Sequence, residues 1–524
     1  MVSKVRLYTC KAIRKIEDIF VDEYGFDFFQ LMDYAGIATA QAVLSRFPDI
    51  KSATVLCGGG NNGGDGLVVA RQLLLKGISV NVLAASTFEK ASPQTTKNKI
   101  ILEKMGKTIH ETKKIGDSEL TKLLKQGDVI VDALLGIGAK GAPRGESLRL
   151  IRAINQSDCP VVSVDLPSGI DGSTGQVMGE AVRATVTVTF WAPKVGLYVM
   201  PGKEYSGEVV VTNSEFLSAC LFPDVAGVVE KDLYLIDAPE AKALLPEVPL
   251  STHKGKRGSV LIFAGSKKYK GAAILSSLGA LRAGAGRVIL VVPEGCCVTG
   301  VGPETIVFEV PSMDGALSAD SYDMAMDEFG HIVSAIVVGP GVGRTNGVRE
   351  LVAKIWKDSS VYTCMDADAI YFLPAIMEQF SCRKDNILIT PHEGEAARLV
   401  GANSAEVSAK RLQMARLIAE RYATVLLKGP GTIIDDGKKT AVIKDAHPCL
   451  SVPGSGDVLS GVIGAFMARG LGCYESALCS AYLHARAGVT LGLSVGNDGV
   501  LASEIAGLIP KEIRKLSQQE SNHG

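Results

Sequence analysis

The chain has 524 residues, which is too long for one ordinary hydrophobic core, so we expect at least two domains. Its 55 basic and 56 acidic side chains nearly cancel, so composition gives no electrostatic case for binding nucleic acid or an anionic membrane. No apolar run approaches the roughly 18 residues of a membrane-spanning helix, and the N-terminal stretch MVSKVRLYTCKAIRK lacks the continuous apolar core of a secretion signal. We therefore expect a cytoplasmic protein.

Short β-branched runs alternate with helical stretches through the first part of the chain. The predicted strands are ATVLC, SVNVLAA, DVIVDALLG and VVSVDLPSG, at residues 53–57, 79–85, 128–136 and 161–169. Runs that are apolar on both faces predict a parallel sheet covered by helices. Two strands of alternating pattern, at residues 185–190 and 207–213, close this half. We predict a Rossmann-like, three-layer α/β domain at residues 1–222.

The glycine-rich segment CGGGNNGGDG, at residues 57–66, lies between a predicted strand and a predicted helix. Its glycines match the G-x-G-x-x-G pattern of dinucleotide-binding turns at Gly58, Gly60 and Gly63. The acidic residue that this pattern requires after the next strand is missing, and Asp65 would repel a pyrophosphate by about 3 kcal/mol per charge at about 5 Å. Two interpretations stay open. The loop is a tight turn whose asparagines satisfy the backbone, or it is a cation platform of hard oxygen donors built from Asn61, Asn62 and Asp65.

Polar side chains follow two further strands of this half. Asp132 ends the third predicted strand, and Asp165 and Ser168 follow the fourth. Ligands of open α/β sheets lie outside the carboxyl ends of the strands, so we expect these groups to meet the glycine-rich loop. Asn62, Asp132 and Ser168 could together hold one ion of low charge, which would leave Asp165 for proton transfer or for a substrate hydroxyl. The segment 136–142 offers backbone amides and one lysine as a phosphate cradle.

The alternation restarts after a polar, proline-bearing stretch at residues 222–252. The strands that it predicts lie at residues 259–265, 287–293, 335–341, 387–392 and 424–431. The two halves share no sequence repeat, which favours a fusion of unlike α/β domains over a duplication. We place the second domain at residues 223–524.

The strongest single motif of the second half is SVPGSGDVLSGVIGAF, at residues 451–466. Its GSG segment places backbone amides at a predicted helix N-terminus, which suits a transferring phosphoryl group, and Asp457 could act there as the base toward an alcohol. The alternative is a plain N-cap with its turn. The lysine and amides of residues 428–432 suit a nucleotide phosphate, and the glycines of residues 339–343 allow close approach of a substrate. No G-x-x-x-x-G-K-[ST] motif exists, so a P-loop is excluded.

Three motifs of the first half, GGGNNGGDGLVVAR, VDALLGIGAKG and SVDLPSGIDGSTG, resemble the epimerase domain of the bifunctional NAD(P)H-hydrate repair enzymes. The resemblance implies interconversion of the R and S hydrates of NADH and NADPH (NADHX and NADPHX) at C6 of the nicotinamide ring. It implies that potassium is bound by Asn62, Asp132 and Ser168. It implies substrate contacts at Asn61, Asn62, Gly63, Gly64, Asp65, Gly136, Ile137, Gly138, Ala139, Lys140, Gly141, Ala142 and Asp165. From its position at the strand end, we also expect Asp165 to be a catalytic residue.

Six motifs of the second half resemble, in order, the dehydratase domain of the same enzymes, which has a ribokinase-like α/β fold. They are AGSKKYKGAAILSSLGALRAGAG, GPGVG, MDADAI, LITPHEGEAARL, KGPGT and GSGDVLSG. The resemblance implies that ADP or ATP phosphorylates the C6 hydroxyl of the S hydrate, after which phosphate leaves and NAD(P)H is restored. Hydroxide is a poor leaving group and phosphate a good one, which explains the use of a nucleotide.

The same resemblance implies the residues of the dehydratase site. Contacts with the hydrate are expected from Ala272 or Ala273, Gly341, His392 and Asp457, with Asp457 as the catalytic base. Contacts with the nucleotide, which would carry magnesium, are expected from Lys428, Gly429, Pro430, Gly431, Thr432 and Gly456. His392 could instead be a histidine satisfied at a strand end, and the pair Asp366 and Asp368 could be helix caps.

Two positions depart from the family's pattern. Pro453 stands where a glycine usually precedes GSGD, and His447 where an asparagine is usual. Pro453 removes one amide donor, so we expect slower or altered nucleotide use rather than its loss. The epimerase-first order resembles prokaryotic members that use ADP, and the family implies a homo-oligomer of four or more subunits.

Two other functions remain open at this point. A ribokinase-like kinase of a small molecule, for example a vitamin precursor, with an extra α/β domain would release a phosphorylated product instead of inorganic phosphate and reduced nicotinamide. The other is a first domain that only binds nucleotide or a protein partner, as a scaffold; the presence of Asn62, Asp132, Asp165 and Ser168 together argues against it.

Overall fold

The computed structural model describes residues 5–217, 221–228, 232–296, 298–312, 314–358, 360–382 and 384–518. The chain divides into two compact units, Arg6–Glu230 and Lys231–Gly524, the second of which also takes in Met1–Val5. Each unit is built around one large sheet. Within the described residues, no helix is both long enough and apolar enough to cross a bilayer.

The first unit alternates strands and helices. The chain begins with β1 (Val5–Arg6), which belongs to the sheet of the second unit. The strands of the first unit are β2 (Ser52–Cys57), β3 (Ser79–Ala84), β4 (Ile109–Glu111), β5 (Val129–Ala133), β6 (Val161–Val164), β7 (Val186–Phe190) and β8 (Glu208–Thr212). The helices are α1 (Cys10–Asp22), α2 (Phe28–Arg46), α3 (Asn61–Leu75), α4 (Pro93–Lys104), α5 (Asp117–Lys125), α6 (Gly145–Asn155), α7 (Gly202–Ser206) and α8 (Pro223–Ala226).

The sheet of the first unit has seven parallel strands in the order β4-β3-β2-β5-β6-β7-β8. This is the strand order of a Rossmann fold with an added strand, and the order reverses between β2 and β5. A ligand crevice is expected at that reversal, outside the carboxyl ends of the strands. The predicted Rossmann-like α/β unit is confirmed by this topology.

Alternate side chains of the central strands enter two separate cores, one on each face of the sheet. On one face Val55 and Val131 pack with helices α1 to α3, and on the other face Leu56 and Ile130 pack with α5 and α6. All four side chains are fully buried. The apolar runs of the sequence therefore form strands because both sheet faces are covered, which gives the three-layer arrangement.

The second unit continues the alternation. Its strands are β9 (Asp232–Ile236), β10 (Ser259–Phe263), β11 (Arg287–Pro293), β12 (Thr305–Val310), β13 (Ala335–Val338), β14 (Tyr362–Met365), β15 (Ile387–Ile389), β16 (Thr424–Leu427), β17 (Ile433–Asp435) and β18 (Lys439–Ile443). Its helices are α9 (Ala238–Ala243), α10 (Lys270–Arg282), α11 (Ala319–Phe329), α12 (Asn346–Asp358), α13 (Asp368–Met377), α14 (Glu393–Val400), α15 (Ser404–Ala409), α16 (Arg411–Arg421), α17 (Ser455–Ala468), α18 (Cys473–Ser494) and α19 (Ala502–Gln518).

The sheet of the second unit has eleven strands in the order β1-β9-β18-β17-β16-β15-β14-β13-β10-β11-β12. The run from β16 through β15, β14, β13 and β10 to β12 is parallel, whereas β16, β17 and β18 pair antiparallel. The stretch at residues 222–252, which the sequence marks only as polar, contains β9 and α9, and β9 pairs parallel with β18. The expected α/β class is thus confirmed in this half as well.

Helices α10 and α17 cross at very short distance on one face of this sheet. A Cβ atom at Gly461 would lie 1.9 Å from the carbonyl oxygen of Ser276, and one at Gly279 would lie 2.3 Å from that of Val458. Only glycine permits this approach of the two backbones. The crossing fixes the start of α17, and with it the GSGD motif, against the rest of the core.

Candidate active sites

The glycine-rich loop of the first unit leads from β2 into α3 and packs tightly on the end of β5. A Cβ atom at Gly58 would lie 1.9 Å from the oxygen of Leu134, and one at Gly63 would lie 1.9 Å from the oxygen of Gly58. Helix α3 begins at Asn61, after the N-cap residue Gly60, which has no side-chain cap. The glycines therefore let the loop lie against β5, and the free amides of the first helical turn face the strand ends.

A cavity of about 560 Å³ opens beside this helix start. Its walls include most of the substrate residues that the family resemblance implies, namely Asn61, Asn62, Asp65, Gly136, Ile137, Gly138, Ala139 and Asp165. Lys140 and Gly141 line an adjoining cavity of about 250 Å³, together with Gly136 and Ala139. A volume of this size suits a small organic ligand.

Three of the implied substrate residues lie elsewhere. Gly63 and Gly64 are buried, and neither lines either of these cavities. A Cβ atom at Gly64 would lie 2.5 Å from both Met32 and Thr95, so this glycine serves the packing of α3. Ala142 is exposed and also lies outside both cavities.

The carboxylate of Asp132 is buried at the end of β5 and is held by neutral donors. It accepts hydrogen bonds from the hydroxyl of Ser168 (2.6 Å) and its backbone amide (2.9 Å), from the hydroxyl of Ser163 (2.8 Å) and from the amide of Leu134 (3.3 Å). Burial raises the pKa of this carboxyl, although the hydrogen bonds from Ser168 and Ser163 lower it in part. The structure thus brings Asp132 and Ser168 into direct contact.

The side chain of Asn62 reaches the same place from α3. Its amide lies against Gly136, where a Cβ atom would be 2.9 Å from Oδ1, and its buried Nδ2 has no hydrogen-bond partner. The amide of Leu135, the neighbour of Gly136, donates to the hydroxyl of Ser168 (2.8 Å). Asn62, Asp132 and Ser168 therefore surround one turn, residues 134–136, at the point where the strand order reverses.

Asp165 lies at the end of β6 in a left-handed backbone conformation with φ of 68°. Its carboxylate forms an ion pair with Lys194 (2.7 Å), whose side chain is fully buried. The ammonium of Lys194 also donates to the hydroxyl of Thr189 (2.8 Å) and to the oxygen of Phe190 (3.2 Å). Lys194 could not be predicted from the sequence, because a single lysine after a strand forms no recognisable pattern.

In the second unit, Asp457 lies in the first turn of α17, after the left-handed N-cap residue Gly454. Burial, together with the nearby Asp366, raises the pKa of Asp457 to about 7, although Lys428 opposes the shift. The amide of Ser455 already donates to the oxygen of Val452 (3.2 Å), which leaves the following amides of the turn for a ligand. A carboxyl with this pKa at a helix start is suited to take a proton near neutral pH.

Lys428, at the end of β16, is the cation of this site. Its ammonium lies 2.7 Å from the buried carboxylate of Asp366 and 3.9 Å from Glu395. Burial alone would lower the pKa of Lys428, but the charges of Asp366 and Glu395 outweigh burial and raise it. A Cβ atom at Gly456 would lie 3.4 Å from this ammonium, so Lys428 lies close to the start of α17.

His392 caps α14 through its ring. Nδ1 accepts hydrogen bonds from the amides of Gly394 (3.0 Å) and Glu395 (3.3 Å), while Glu395 accepts one from the amide of His392 (2.9 Å). Burial and then the charge of Lys428 lower the pKa of His392, which favours the neutral ring. Burial raises the pKa of Glu395 to about 7. The interpretation of His392 as a satisfied residue therefore holds for Nδ1, and Nε2 lies 3.4 Å from Oε1 of Glu395.

A cavity of about 260 Å³ lies along the start of α17. Residues implied to contact the nucleotide or the hydrate line it, namely His392, Lys428, Gly429, Pro430, Thr432 and Gly456. Gly431 is buried and does not line it. His447, one of the two departures, lines the cavity, and Pro453, the other, is exposed beside it.

The turn at residues 339–343 packs on the start of α10 and does not line this cavity; neither do Ala272, Ala273 and Asp457. Gly341 has φ of 65°, and a Cβ atom there would lie 2.9 Å from that of Ala272. Ala272 is half-buried, whereas Ala273 is fully buried. Of the two alternatives, only Ala272 keeps exposed surface for a ligand. Asp368 accepts a hydrogen bond from the amide of Gly343 (3.0 Å) and therefore helps to fix this turn.

Arg411 is a further residue that the sequence analysis missed. Its buried guanidinium pairs with Glu393 (2.6 Å) and donates to the carbonyl oxygens of Leu427 (3.3 Å) and Lys428 (3.0 Å). Gly429 has φ of 129°, and a Cβ atom there would lie 3.0 Å from the guanidinium. Arg411 thus holds the loop that presents Lys428 to the site.

Comparison with known proteins covers both units. The family described as "YjeF-related protein N-terminus" matches residues 29–196, and the family described as "NAD(P)H-hydrate dehydratase" matches residues 260–511. The chain is 37% identical over 486 residues to the bifunctional NAD(P)H-hydrate repair enzyme Nnr of Thermanaerovibrio acidaminovorans, covering 91% of this chain and 92% of the relative. It is 32% identical over 519 residues to the enzyme of the same name from Escherichia coli, covering 98% of this chain and 95% of the relative.

A solved structure resembles the second half alone. The ADP/ATP-dependent NAD(P)H-hydrate dehydratase of Bacillus subtilis, co-crystallized with ATP and Mg²⁺, is 26% identical and matches 53% of this chain and 97% of its own, with a TM-score of 0.46. The full-length relatives, in contrast, span both units of the chain. The chain therefore belongs to the family of bifunctional NAD(P)H-hydrate repair enzymes.

Proposed function

We propose that this chain repairs hydrated nicotinamide dinucleotides in two steps. The first unit interconverts the R and S forms of NADHX and NADPHX, and the second unit dehydrates the S form to NAD(P)H with consumption of ADP or ATP. Within this family, the observation that carries the proposal is the position of Lys428 at the start of α17. Lys428 and Gly456 line the same cavity there, and the charge of Lys428 acts on Asp457, the next residue of the helix.

The second unit supplies the groups for phosphoryl transfer followed by elimination. Asp457 takes the proton of the C6 hydroxyl, and the hydroxyl oxygen attacks the terminal phosphorus of the nucleotide. Lys428 and the amides at the start of α17 balance the charge on the phosphoryl oxygens. Phosphate then leaves C6 with the bonding electrons, a proton leaves C5, and the C5–C6 double bond of the dihydronicotinamide forms. The balance is one ADP consumed and one AMP, one phosphate, one proton and one NAD(P)H released.

Potassium is proposed at the turn between Asn62, Asp132 and Ser168. The three side chains are buried, Asp132 has neutral donors as its hydrogen-bond partners, and the amide of Asn62 has an unpartnered buried atom. A 180° rotation of the Asn62 side-chain amide would place its oxygen, instead of Nδ2, at this position. One carboxylate with neutral oxygens matches a hard cation of low charge. When bound, such an ion supplies positive charge beside the phosphate-bearing substrate.

Magnesium is proposed to arrive with the nucleotide. No group of three or more His, Cys, Asp or Glu side chains among the described residues is arranged to hold a metal ion. Magnesium is commonly held by one or two carboxylates together with phosphate oxygens. Glu395 and Asp457, whose pKa values burial raises to about 7, are the carboxyls that would face it beside Lys428. The ion would supply charge neutralisation between the transferred and leaving phosphoryl groups.

Three finer points belong to the same proposal. The nucleotide is ADP, on the analogy of the epimerase-first domain order with prokaryotic members. The protein acts as a homo-oligomer of four or more subunits, and it acts in the cytoplasm without nucleic acid or membrane partners. The nearly balanced charge, 55 basic against 56 acidic side chains, supports the last of these.

The products of one reaction test the dehydratase function. The protein is given pure S NADHX with ADP and magnesium, and NADH, AMP and inorganic phosphate are measured together. The proposal requires the three products in equal amounts. A product that retains the phosphoryl group, with no NADH, would identify a small-molecule kinase instead.

A further inference from the structure

The wall of the larger cavity in the first unit carries a carboxyl that the sequence analysis did not single out. Glu17, on α1, lines the cavity together with Asp65 and Asp165. Its Oε1 accepts a hydrogen bond from the indole nitrogen of Trp191 (3.1 Å), which also lines the cavity. A glutamate held by a donor and turned toward the cavity is placed to meet whatever the cavity binds.

The charges around Glu17 come from four elements. Asp18 lies on its own helix, Asp65 on α3, Asp165 after β6 and Lys194 after β7. Burial, followed by the charge of Asp165, raises the pKa of Glu17 to about 7, although the bond from Trp191 and the charge of Lys194 lower it in part. Glu17 therefore exchanges its proton near neutral pH. Burial, followed by the charges of Asp165 and Glu17, also raises the pKa of Asp65.

The backbone fixes the partners of Glu17 rigidly. Asp165 and Trp191 both have a left-handed backbone with φ of 68°, a conformation that side-chain-bearing residues rarely adopt. The amide of Asp165 donates to the oxygen of Val188 (2.7 Å), and that of Trp191 to the oxygen of Thr212 (3.0 Å). Such strain concentrates at functional sites, where it presets the position of a side chain.

We propose that Glu17 is a catalytic residue of the epimerisation and that it shares proton transfer with Asp165. This inference rests on the proposed epimerase function of the first unit. The two carboxyls of this cavity have different partners. Asp165 pairs with the buried ammonium of Lys194, whereas Glu17 accepts a hydrogen bond from the Trp191 indole. Such a difference between neighbours is how an enzyme assigns an acid and a base.

The reaction balances with these two groups alone. Protonated Glu17 gives its proton to the C6 hydroxyl, the C6–O bond breaks, and water leaves. The lone pair of the ring nitrogen N1 forms a C=N double bond, which makes the ring a cation. Water then adds to the other face of C6, and Asp165 takes its proton. A proton then passes from Asp165 back to Glu17 through solvent, which restores both groups, so nothing is consumed. For the opposite epimer the two carboxyls exchange roles.

The cavity also matches the charge of this intermediate. The carboxyls of Glu17, Asp18, Asp65 and Asp165 line it together with the guanidinium of Arg14, and Asp165 pairs with the buried ammonium of Lys194. Fixed negative groups stabilise a developing positive charge far better in a water-poor site than in bulk water. The same groups would repel a phosphate, so the reacting ring rather than the pyrophosphate is expected at this end of the cavity.

The test compares Glu17→Gln with Asp22→Asn in the full-length protein. Glutamine keeps an oxygen for the Trp191 indole, and Asp22 is an exposed carboxylate at the end of the same helix, outside the cavity. The exchange of R and S NADHX is measured without nucleotide, after subtraction of the spontaneous rate. Glu17→Gln is expected to lower kcat about 100-fold or more with little change in KM. Asp22→Asn and the dehydration of S NADHX by either variant are expected to match the wild type.

The pH profile adds a readout that a purely structural role would not move. In the wild type, kcat should fall as the pH rises through about 7, where Glu17 loses its proton. In Glu17→Gln, kcat should no longer fall as the pH rises through this range. Glu17→Asp, which restores a carboxyl, should recover part of the rate and part of this pH dependence. Wild-type kcat and an unchanged profile in Glu17→Gln would overturn the inference. A wild type that does not accelerate the exchange at all would overturn the epimerase function itself, and the inference with it.

Discussion

Replacement of Asp457 by asparagine separates catalysis from stability in the second unit. The change keeps the shape of the side chain and removes its ability to take a proton. A positioned general base contributes about 10² to 10⁴-fold in rate, so kcat for dehydration of S NADHX should fall by that factor. The KM for the nucleotide should change little, because Lys428 and the amides of α17 remain. In the wild type, kcat should rise with pH through about 7, where Asp457 becomes ionised.

The same variant should gain stability at alkaline pH. The pKa of Asp457 rises from its ordinary 3.8 to about 7 in the folded chain. The free energy of unfolding therefore begins to decrease when the pH exceeds the unfolded pKa, and the full loss is reached above about 7. Each pKa unit corresponds to 1.36 kcal/mol, which gives an upper bound of about 4 kcal/mol. Because the side chain is half-buried, solvent screening reduces this to about 1–3 kcal/mol.

Two measurements on Asp457→Asn check this reasoning. Dehydration is followed by NADH absorbance with ADP and S NADHX, and the free energy of unfolding is measured at pH 4 and pH 8. Stabilisation at pH 8 but not at pH 4, together with lost dehydration and intact epimerisation, is the expected result. Dehydration at the wild-type rate would refute the role of Asp457 as the base. Equal stability of the two proteins at pH 8 would refute the raised pKa.

Other changes have equally definite expectations. Asn62→Ala should lower epimerase kcat at least about tenfold and abolish its dependence on potassium. This dependence is measured by replacing KCl with choline chloride at constant ionic strength. Epimerisation at the normal rate without any dependence on potassium would contradict the proposed cation site. Gly58→Ala, whose Cβ atom would lie 1.9 Å from the oxygen of Leu134, should destabilise the first unit by about 3 kcal/mol or more, whereas Gly60→Ala, with nothing within 4 Å, should change the thermal midpoint little. Pro453→Gly should lower the KM for ADP several-fold, up to about tenfold, because one amide donor to a charged acceptor is worth about 1.5 kcal/mol; an unchanged KM would show that this amide does not reach the nucleotide.

Much of the fold could be predicted because its signals are local. The apolar runs ending at Cys57, Ala133 and Val164 are strands whose polar successors lie at one edge of the sheet, since parallel strands align their carboxyl ends. That rule alone places Asp132 and Ser168 in one region, and they are hydrogen-bonded in the structure. The stretch at residues 222–252 was harder, because β9 is an isolated short strand whose partner β18 lies far along the chain.

The residues that sequence reasoning missed depend on contacts between distant segments. Glu17 and Trp191, for example, are 174 positions apart. A glutamate within an amphipathic helix and a single buried arginine such as Arg411 have no spacing that marks them. Conversely, Gly63, Gly64 and Gly431 belong to recognisable motifs, yet all three are buried in the structure and line none of the cavities described. A motif reports what a loop requires as a whole, and packing decides which of its members face the ligand.

The recovery of NADH from mixed hydrates tests the central claim most directly. The wild-type protein is given equal amounts of R and S NADHX with ADP, magnesium and potassium, and NADH is followed to completion against a protein-free control for spontaneous epimerisation. Two linked activities on one chain predict that both halves of the mixture return as NADH, with one phosphate released per NADH. Recovery of only the S half at the catalysed rate would contradict the epimerase function of the first unit.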